Sequence, residues 1–443
     1  MSKSGVLQAP LRQLLVRAAR VMEAVIDEGQ NLNRVLAQQP EFGRAAVQDM
    51  SYRCLREYGS LCALRDTLID RPLRDRQIAF LLLVALQQLR LRPRQAHVTV
   101  NEATEAAAKL HLWARGLTNA ILRTALRRYA SEGIWTDNPT QDTKGPVTGA
   151  QALVAQWNYP FWWIEAIRHA YPEQWQSILI AGNQHPPFVL RVNTRKIAVT
   201  DYLLQLTQAG IDAHSNGDEA VKLAHPIGVQ QLPGFAEGLV SVQDAGAQRA
   251  AHYLDVLPGQ RVLDACCAPG GKTAHLLELF DIQLTAVDRD PVRLARVEEN
   301  LSRLQLHAQC VAADVGQTAT WWDGKYFDRI LADVPCSASG VVRRHPDIKW
   351  LRREEDISGF VRQQAELLAA LWGCLAAGGK LLYVTCSIFP EENQLQIDSF
   401  LKRHDNAHQL HLNERYRVPN KLAGQLLPCE EHDGFFYALL EKT

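Results

Sequence analysis

The fold class of this chain follows from one segment, Asp264-Ala265-Cys266-Cys267-Ala268-Pro269-Gly270-Gly271-Lys272-Thr273. It continues a short predicted strand that begins at Arg261, and its glycines let the backbone approach a ligand closely. We therefore predict the loop after the first strand of a nucleotide-binding sheet. The loop is neither Gly-x-Gly-x-x-Gly nor a Walker loop, because Cys266 stands where a phosphate-binding loop needs its first glycine. This disfavours a phosphate ligand.

Strands and helices alternate from about residue 241 onward, which predicts a parallel, doubly wound α/β sheet. The predicted strands are Arg261–Asp264, Leu284–Asp288, Gln309–Asp314, Phe327–Asp333 and Lys380–Cys386, with Gly434–Leu440 as a final antiparallel edge strand. Four of them end in an aspartate. Ligands of open α/β sheets bind beyond the carboxyl ends of the strands, so we expect these ends to meet at one pocket.

The aspartates at successive strand ends fit the recognition of an adenosine. Asp288 lies 24 residues after Asp264, where a carboxylate can accept both ribose hydroxyls, and Asp314 could receive an adenine amino group. Any one such aspartate is as often a helix cap. Their repetition beside a loop that disfavours phosphate predicts S-adenosylmethionine as the cofactor.

Two cysteines follow later strands, in Asp333-Val334-Pro335-Cys336-Ser337 and in Val384-Thr385-Cys386-Ser387. Carbon 5 of cytosine attacks a methyl sulfonium only after a thiolate has added to carbon 6 and made the ring an enamine. Cys386 is well placed to be this nucleophile, and Asp333 could hold the amino edge and ring nitrogen of the base. A lone cysteine is usually a small buried hydrophobe. Two of them facing the cofactor loop favour methylation of a pyrimidine.

The first third of the chain has the apolar spacing of helices. The helical patterns run from Leu11 to Val25 and through Ile78–Leu91, Val100–Leu110 and Leu117–Tyr129, with Pro93 and Gly116 as separators. We predict an all-α domain over residues 1–135 and a polar linker over 136–150. A small α+β domain over 151–240 and the α/β domain over 241–443 follow.

Aromatic residues are concentrated at the start of the predicted α+β domain. Two short helices are predicted there, carrying Trp157, Phe161, Trp162, Trp163 and Trp175. The cluster could stack on bases, but packing between domains is the favoured interpretation.

Length and composition fit a multidomain globular protein: 443 residues, 47% of them apolar and 22% charged. The opening residues lack the apolar core of a signal peptide, and no apolar run reaches membrane-spanning length, so we expect a cytoplasmic protein. The nine cysteines form an odd set without Cys-x-x-Cys spacing. This argues against disulfides and against a zinc site, so no metal is expected.

The zero net charge of the chain conceals an asymmetry. Residues 1–150 carry 21 Lys and Arg against 14 Asp and Glu, a net charge of +7, and the remainder carries −7. A basic amino-terminal third is typical of a polyanion-binding surface and equally of a solvated helix face. Charge alone does not decide between the two.

The residues resemble the RNA cytosine-5 methyltransferase (NOL/NOP/Sun) family. The likeness rests on Asp264–Thr273, Asp288, Asp314, Asp333–Ser337, Arg343–Trp350, Thr385–Ser387 and Pro390–Asn393. The helical domain resembles the NusB antitermination factor. Within the family, a chain with such a domain is similar to the Fmu/Sun branch of bacterial 16S rRNA methyltransferases. The fold implied is a NusB-like helical domain, a small α+β domain and a Rossmann-like S-adenosylmethionine methyltransferase domain.

The resemblance also implies roles for residues. Cys386 would be the nucleophile, and Cys336 would assist product release as acid or base. The residues expected to contact S-adenosylmethionine are Cys266, Cys267, Ala268, Pro269, Gly270, Gly271, Lys272, Asp288, Asp314 and Asp333, and the segment Gln243-Asp244-Ala245-Gly246 would close the site. The implied partner is 16S rRNA, free or in an early small-subunit particle. A monomer that binds no membrane would methylate one cytosine, conventionally numbered 967.

Three other functions remain open from the residues. The chain could methylate tRNA or another RNA. A DNA cytosine-5 methyltransferase would use Cys336 of the Pro-Cys pair as its nucleophile and leave Cys386 idle. A non-catalytic RNA-binding assembly factor would depend on the helical domain, and the intact loop with both thiols disfavours it.

Overall fold

The computed structural model describes residues 9–130, 149–412 and 424–443. The chain forms two compact units, Met1–Asn183 with Val342–Arg353, and Gln184–Val341 with Glu354–Thr443. Residues 136–148 of the predicted linker lie outside the described residues, and the predicted domain bounds stay predictions. Among the described residues, no helix is both long and apolar enough to cross a membrane.

Helices build the first unit. They are α1 Leu11–Ile26, α2 Leu32–Ala37, α3 Arg44–Arg56, α4 Tyr58–Thr67, α5 Arg76–Leu91, α6 Ala96–Leu110, α7 Ala114–Ala130, α8 Ala150–Trp157, α9 Phe161–Ala170 and α10 Trp175–Asn183, with a short helix at Ile348–Leu351. Every residue of α5 from Ile78 to Leu89 is buried, so this helix lies at the centre of the core. Asp75 caps it by accepting a hydrogen bond from the Ile78 amide.

The four predicted helices are confirmed, but two details of the prediction are wrong. Gly116 lies inside α7, and the break from α6 falls at residues 111–113. A glycine within a helix costs only about 1 kcal/mol, so tertiary packing overrides it here. The tryptophan cluster lies on three short helices, α8 to α10, rather than two. Trp163 is fully buried, which favours packing over base stacking for this side chain.

The second unit begins with a small α+β layer, as predicted. Its four antiparallel strands are β1 Phe188–Val192, β2 Ala213–Ser215, β3 Ala220–Leu223 and β4 Val240–Val242, in the order β2-β3-β1-β4. Helix α11, Val199–Gln208, covers this sheet. Tyr202 and Leu206 of α11 share one apolar core with Leu190 and Val221 of the strands.

A larger sheet forms the rest of the second unit. Its strands are β5 Arg261–Ala265, β6 Gln283–Asp288, β7 Gln309–Ala312, β8 Phe327–Asp333, β9 Leu375–Thr385, β10 Ala407–Leu410, β11 Gln425–Leu426 and β12 Phe435–Lys442. The order is β10-β12-β9-β8-β5-β6-β7, with β5 to β9 parallel and β11 paired to β12. The accompanying helices are α12 Ala245–Tyr253, α13 Gly271–Leu279, α14 Pro291–Leu304, α15 Asp356–Cys374 and α16 Gln394–Leu401. One apolar cluster contains residues of α12 to α14, and a second contains residues of α15 and α16.

The last strand is antiparallel as predicted, but its edge position was predicted wrongly. β12 lies between β9 and β10, so β10 is the edge strand. β10 is only four residues long and contains His408 and Gln409, so it lacks the apolar pattern that identifies a strand in sequence.

The register of the parallel strands brings the predicted site together. Asp333 at the end of β8 pairs with Val384 of β9, and Ala332 pairs with Ala265 of β5. The loops that follow these three strands therefore leave the same edge of the sheet side by side.

Candidate active site

The loop between β5 and α13 has a backbone that only particular residues tolerate. Gly270 has a φ of +90°, and a Cβ at this position would lie 2.9 Å from Cγ1 of Val297. Cys266 also adopts a positive φ, of +60°. The turn therefore needs a glycine at position 270, both for its left-handed conformation and for close packing on α14.

A cavity of about 260 Å³ opens beyond the ends of the parallel strands. It is lined by Cys266, Ala268, Asp288, Arg289, Arg293, Asp314, Val315, Asp333, Val334, Pro335, Cys336, Gln363, Leu367 and Cys386. Residues after β5, β6, β7, β8 and β9 all contribute. The predicted convergence of strand ends on one pocket is therefore present.

The cavity brings together part of the predicted site. The predicted residues that line it are Cys266, Ala268, Asp288, Asp314, Asp333, Cys336 and Cys386, whereas Cys267, Pro269, Gly270, Gly271, Lys272 and the segment 243–246 are not part of its lining. Asp244 instead caps α12 by accepting a hydrogen bond from the Gly246 amide. Individual roles for all of these residues stay predictions.

The two cofactor-side aspartates differ in environment. Asp288 is buried; its Oδ2 accepts from the Ala268 amide at 3.1 Å and its Oδ1 from the Asp290 amide at 3.0 Å. Asp288 thus anchors the loop after β5. Asp314 is exposed, lies two residues beyond the end of β7, and accepts from the Gly316 amide at 2.9 Å.

Lys272 joins the loop to the end of β8. Its Nζ lies 2.7 Å from Oδ2 of Asp333. Burial alone would lower the pKa of Lys272, but the Asp333 carboxylate outweighs it and holds this pKa above its ordinary value, with Cys386 acting in the same direction. Lys272 is therefore a fixed positive charge beside both Asp333 and Cys386.

The two thiols meet at the cavity. Sγ of Cys336 lies 3.4 Å from Sγ of Cys386, and all nine cysteines of the chain are free. The hydrogen bond with Cys386 and then burial raise the pKa of Cys336 well above its ordinary value. Cys336 therefore resists deprotonation, and either sulfur can be the donor in this contact.

Glu392 holds the two cysteine loops together. Its fully buried carboxylate accepts hydrogen bonds from the hydroxyls of Ser337 and Ser387, the residues directly after the two cysteines. It also accepts from the Ser337 amide at 2.8 Å and from Nε2 of Gln364 at 3.0 Å. Next to it, Asn393 accepts from the hydroxyl of Thr385 and donates to the carbonyl of Ser387.

The sequence indicates Glu392 only as part of a segment of family likeness, without a role of its own. It does not indicate Arg289, Arg293 and Gln363, which line the cavity. The pairs Cys336-Ser337 and Cys386-Ser387 were an available clue to Glu392, because two hydroxyls beside two reactive residues need an acceptor when they are buried. Nothing in the sequence points to Gln363.

Asp264 is a buried acid behind the loop. Oδ2 accepts from the Thr273 hydroxyl at 2.6 Å, whereas Oδ1 has no hydrogen-bond partner among the described residues. Burial raises the pKa of Asp264 to about 7. This carboxyl is therefore protonated in the folded protein below neutral pH.

A doubly wound sheet that carries this loop and a thiol pair at its strand ends defines a Rossmann-like methyltransferase. Sequence profiles support this class. The profile of the 16S rRNA methyltransferase RsmB/F family matches residues 251–441, that of the RsmF/B-like ferredoxin-like domain matches residues 159–230, and that of the NusB family matches residues 12–127.

Whole-chain relatives give the same result. The chain is 43% identical to ribosomal RNA small subunit methyltransferase B of Vibrio cholerae over 96% of each chain. It is 44% identical to the protein of that name from Pseudomonas putida, over 96% of this chain and 97% of the relative. The chain belongs to the RsmB/F family of 16S rRNA methyltransferases and is an enzyme.

A solved structure shares this architecture. The crystal structure of a methyltransferase homologue from Pyrococcus horikoshii is 29% identical and aligns with a TM-score of 0.56, covering 66% of this chain and 97% of that chain.

Glu392→Gln tests the link between the two cysteine loops. The amide keeps the shape of Glu392 but loses the charge that four donors share, and a hydrogen bond to a charged group contributes about 1.5–3 kcal/mol. We expect kcat for methyl transfer to fall about 10- to 100-fold with little change in KM for RNA. Alkylation kinetics of Cys386 should change in parallel.

The matched control is Glu391→Gln, because Glu391 is the exposed neighbour of Glu392. It should retain the kcat and the alkylation rate of the unmodified chain. Equal activity of the two variants would show that the Glu392 carboxylate does not position the thiols.

Asp264→Asn tests the buried acid. Because the folded pKa is raised from 3.8 to about 7, the stability from Asp264 is fully present below pH 3.8 and is lost as pH rises to about 7. The asparagine amide does not titrate. The free energy of unfolding of the Asp264→Asn variant, relative to that of the unmodified chain, should therefore increase over this pH window by on the order of 4 kcal/mol. Urea unfolding at a series of pH values measures this.

The exposed Asp212 provides the control, since for Asp212→Asn we expect a difference from the unmodified chain that does not change with pH. A constant difference for Asp264→Asn as well would mean that Asp264 is ionised throughout.

Proposed function

We propose that this chain methylates carbon 5 of one cytosine in 16S rRNA, with S-adenosylmethionine as methyl donor and a covalent bond between Cys386 and carbon 6 of the base. The observation that carries the proposal is the approach of the Cys336 and Cys386 sulfurs to 3.4 Å at a cavity that the cofactor loop also lines. By family resemblance the target is the cytosine conventionally numbered 967.

The cavity fits the proposed cofactor. Carboxylates of Asp288 and Asp314 are available for ribose and adenine, and the turn at Gly270 lets the backbone approach the ligand. The predicted contacts of Cys266 and Ala268 are compatible with their place in the lining. When bound, S-adenosylmethionine supplies an electrophilic methyl group.

The environment of the thiols supports Cys386 as the nucleophile. A free thiol has a pKa near 8.5 and is mostly protonated at neutral pH, so a nucleophilic cysteine needs positive charge or a donor nearby. The ammonium of Lys272 and the thiol of Cys336 both act on Cys386. Cys336 keeps its proton because its own pKa is raised.

The proposed roles of the two cysteines follow from these surroundings. The thiolate of Cys386 adds to carbon 6, and carbon 5 becomes nucleophilic. After methylation, the proton of carbon 5 passes to a base, and the bond between carbon 6 and Sγ of Cys386 breaks with its electrons returning to the sulfur. Cys336 is placed to assist this release as acid or base. Asp333, fixed by Lys272, would accept from the amino group of the cytosine.

The first unit is proposed to dock RNA. Residues 1–150 carry a net charge of +7, and the NusB profile matches most of this region. The relatives from Vibrio and Pseudomonas are named as methyltransferases of the small ribosomal subunit RNA, which supports 16S rRNA, free or in an early particle, as the partner. We propose a cytoplasmic monomer.

Methyl-labelled S-adenosylmethionine and unmethylated 16S rRNA test the proposal directly. We expect label in 5-methylcytidine at a single position after digestion of the RNA, because Asp333 selects a cytosine and one site is recognised. Transfer to tRNA or DNA but not to 16S rRNA would overturn the proposed substrate. No transfer to any nucleic acid would favour a non-catalytic assembly factor.

Cysteine variants test the covalent step. Cys336→Ala should accumulate a protein–RNA adduct that survives a denaturing gel, because Cys386 can add to the base but release is impaired. Adding Cys386→Ala to this variant should abolish the adduct. Cys310→Ala, at a cysteine that does not line the cavity, should turn over without an adduct. An adduct that persists in Cys386→Ala and is absent in Cys336→Ala would reverse the two roles.

A further inference from the structure

Two histidines and a glutamate form a cluster away from the cavity lining. Glu219 directly precedes β3, His252 lies in the last turn of α12, and His275 lies on α13. Nε2 of His252 is 2.9 Å from Oε2 of Glu219, and Nε2 of His275 is 3.9 Å from the same oxygen. One ligand atom from each of the three residues lies within 4.8 Å of the other two.

The imidazole of His275 is buried and lacks hydrogen bonds to the described residues. Its side chain is 1% exposed, and among the described residues neither ring nitrogen has a hydrogen-bond partner. The backbone of Gln248 approaches the ring without hydrogen-bond geometry. Buried polar groups are almost always paired, so an imidazole with two unpaired nitrogens needs an explanation.

The local charges also favour a cation. Arg191 is the nearby positive group, but it donates to both carboxylate oxygens of Glu278 at 2.7 and 2.8 Å and is neutralised by it. The carboxylate of Glu219 then remains to balance an ion. It is 9% exposed, and a buried carboxylate is stabilised by pairing or by a metal.

We propose that Glu219, His252 and His275 bind a first-row transition-metal dication of the zinc class. Two imidazoles and one carboxylate are a common donor set for zinc, with a fourth position left for water. Ligands around a tetrahedral ion with bonds of about 2.0–2.1 Å lie about 3.3 Å apart. Two of the three separations, 2.9 and 3.9 Å, bracket this value, and the third is within 4.8 Å.

Such an ion would link three elements of the second unit. It would join the small sheet, through Glu219, to α12 and α13 of the larger domain within the same unit. Helix α13 begins at the Gly270 turn and carries Lys272, so the ion would stabilise the element that supports the cofactor loop. The site is separate from the thiol pair, and metal binding can be measured without methyl transfer.

Cobalt substitution tests the site on the full-length chain. After dialysis against a chelator, the chain should bind one equivalent of Co²⁺, which Zn²⁺ displaces. Nitrogen and oxygen ligands predict d–d absorption without a thiolate-to-cobalt charge-transfer band. Zn²⁺ should raise the midpoint of thermal unfolding, because it binds only the folded chain. Absence of saturable binding, or a thiolate band, would overturn the proposal.

Three histidine variants complete the test. His252→Gln and His275→Gln should each weaken metal binding by more than the about 10- to 100-fold typical of losing an outer-shell partner, and should abolish the thermal shift. His225→Gln, at an exposed position of the same unit, should bind normally. His252 is only partly buried, so its variant decides if His275→Gln does not fold. Unchanged binding in His252→Gln would refute the site.

Discussion

The catalytic unit depends on one buried carboxylate. Glu392 sits between the loops after β8 and β9, and the serines that follow the two cysteines both donate to it. An unpaired charge in a protein interior is strongly unfavourable, so moving either loop away would leave this carboxylate unsatisfied. The backbone adds a second link, because the amide of Gly340 donates to the carbonyl of Cys386 at 2.8 Å. The close approach of two sulfurs is therefore a consequence of how the loops are tied.

Two ion pairs also hold the loop between β5 and α13 in position. Lys272 reaches forward to Asp333 at the end of β8, while the buried Arg191 donates to Glu278 and to the carbonyl of Gly271. The first pair fixes a positive charge beside Cys386. The second pair, Arg191 with Glu278, links the small sheet to α13, the helix that follows the loop. Breaking a fully buried pair costs about 3–5 kcal/mol, so this pair belongs to the architecture as much as to the site.

Much of the fold was predictable because it rests on local patterns. The apolar spacing of α1, α5, α6 and α7 and the apolar runs of the parallel strands were sufficient to identify them. Prediction was wrong where tertiary contacts override local preference. Gly116 continues α7 because packing compensates its low helix propensity. β12 is internal because the short, polar strand β10 pairs on its outer side. No sequence pattern predicts such a strand.

The sequence by itself determined the loop after β5, the alternation of strands and helices in the second unit and the positions of the two cysteines, because each rests on a local sequence pattern. Only the tertiary structure decided what distant residues do together. Cys336 and Cys386 are 50 positions apart, yet their sulfurs lie 3.4 Å apart. Glu219, His252 and His275 share no motif and meet only because β3, α12 and α13 pack together. Such contacts depend on register and side-chain packing, which no local sequence pattern specifies.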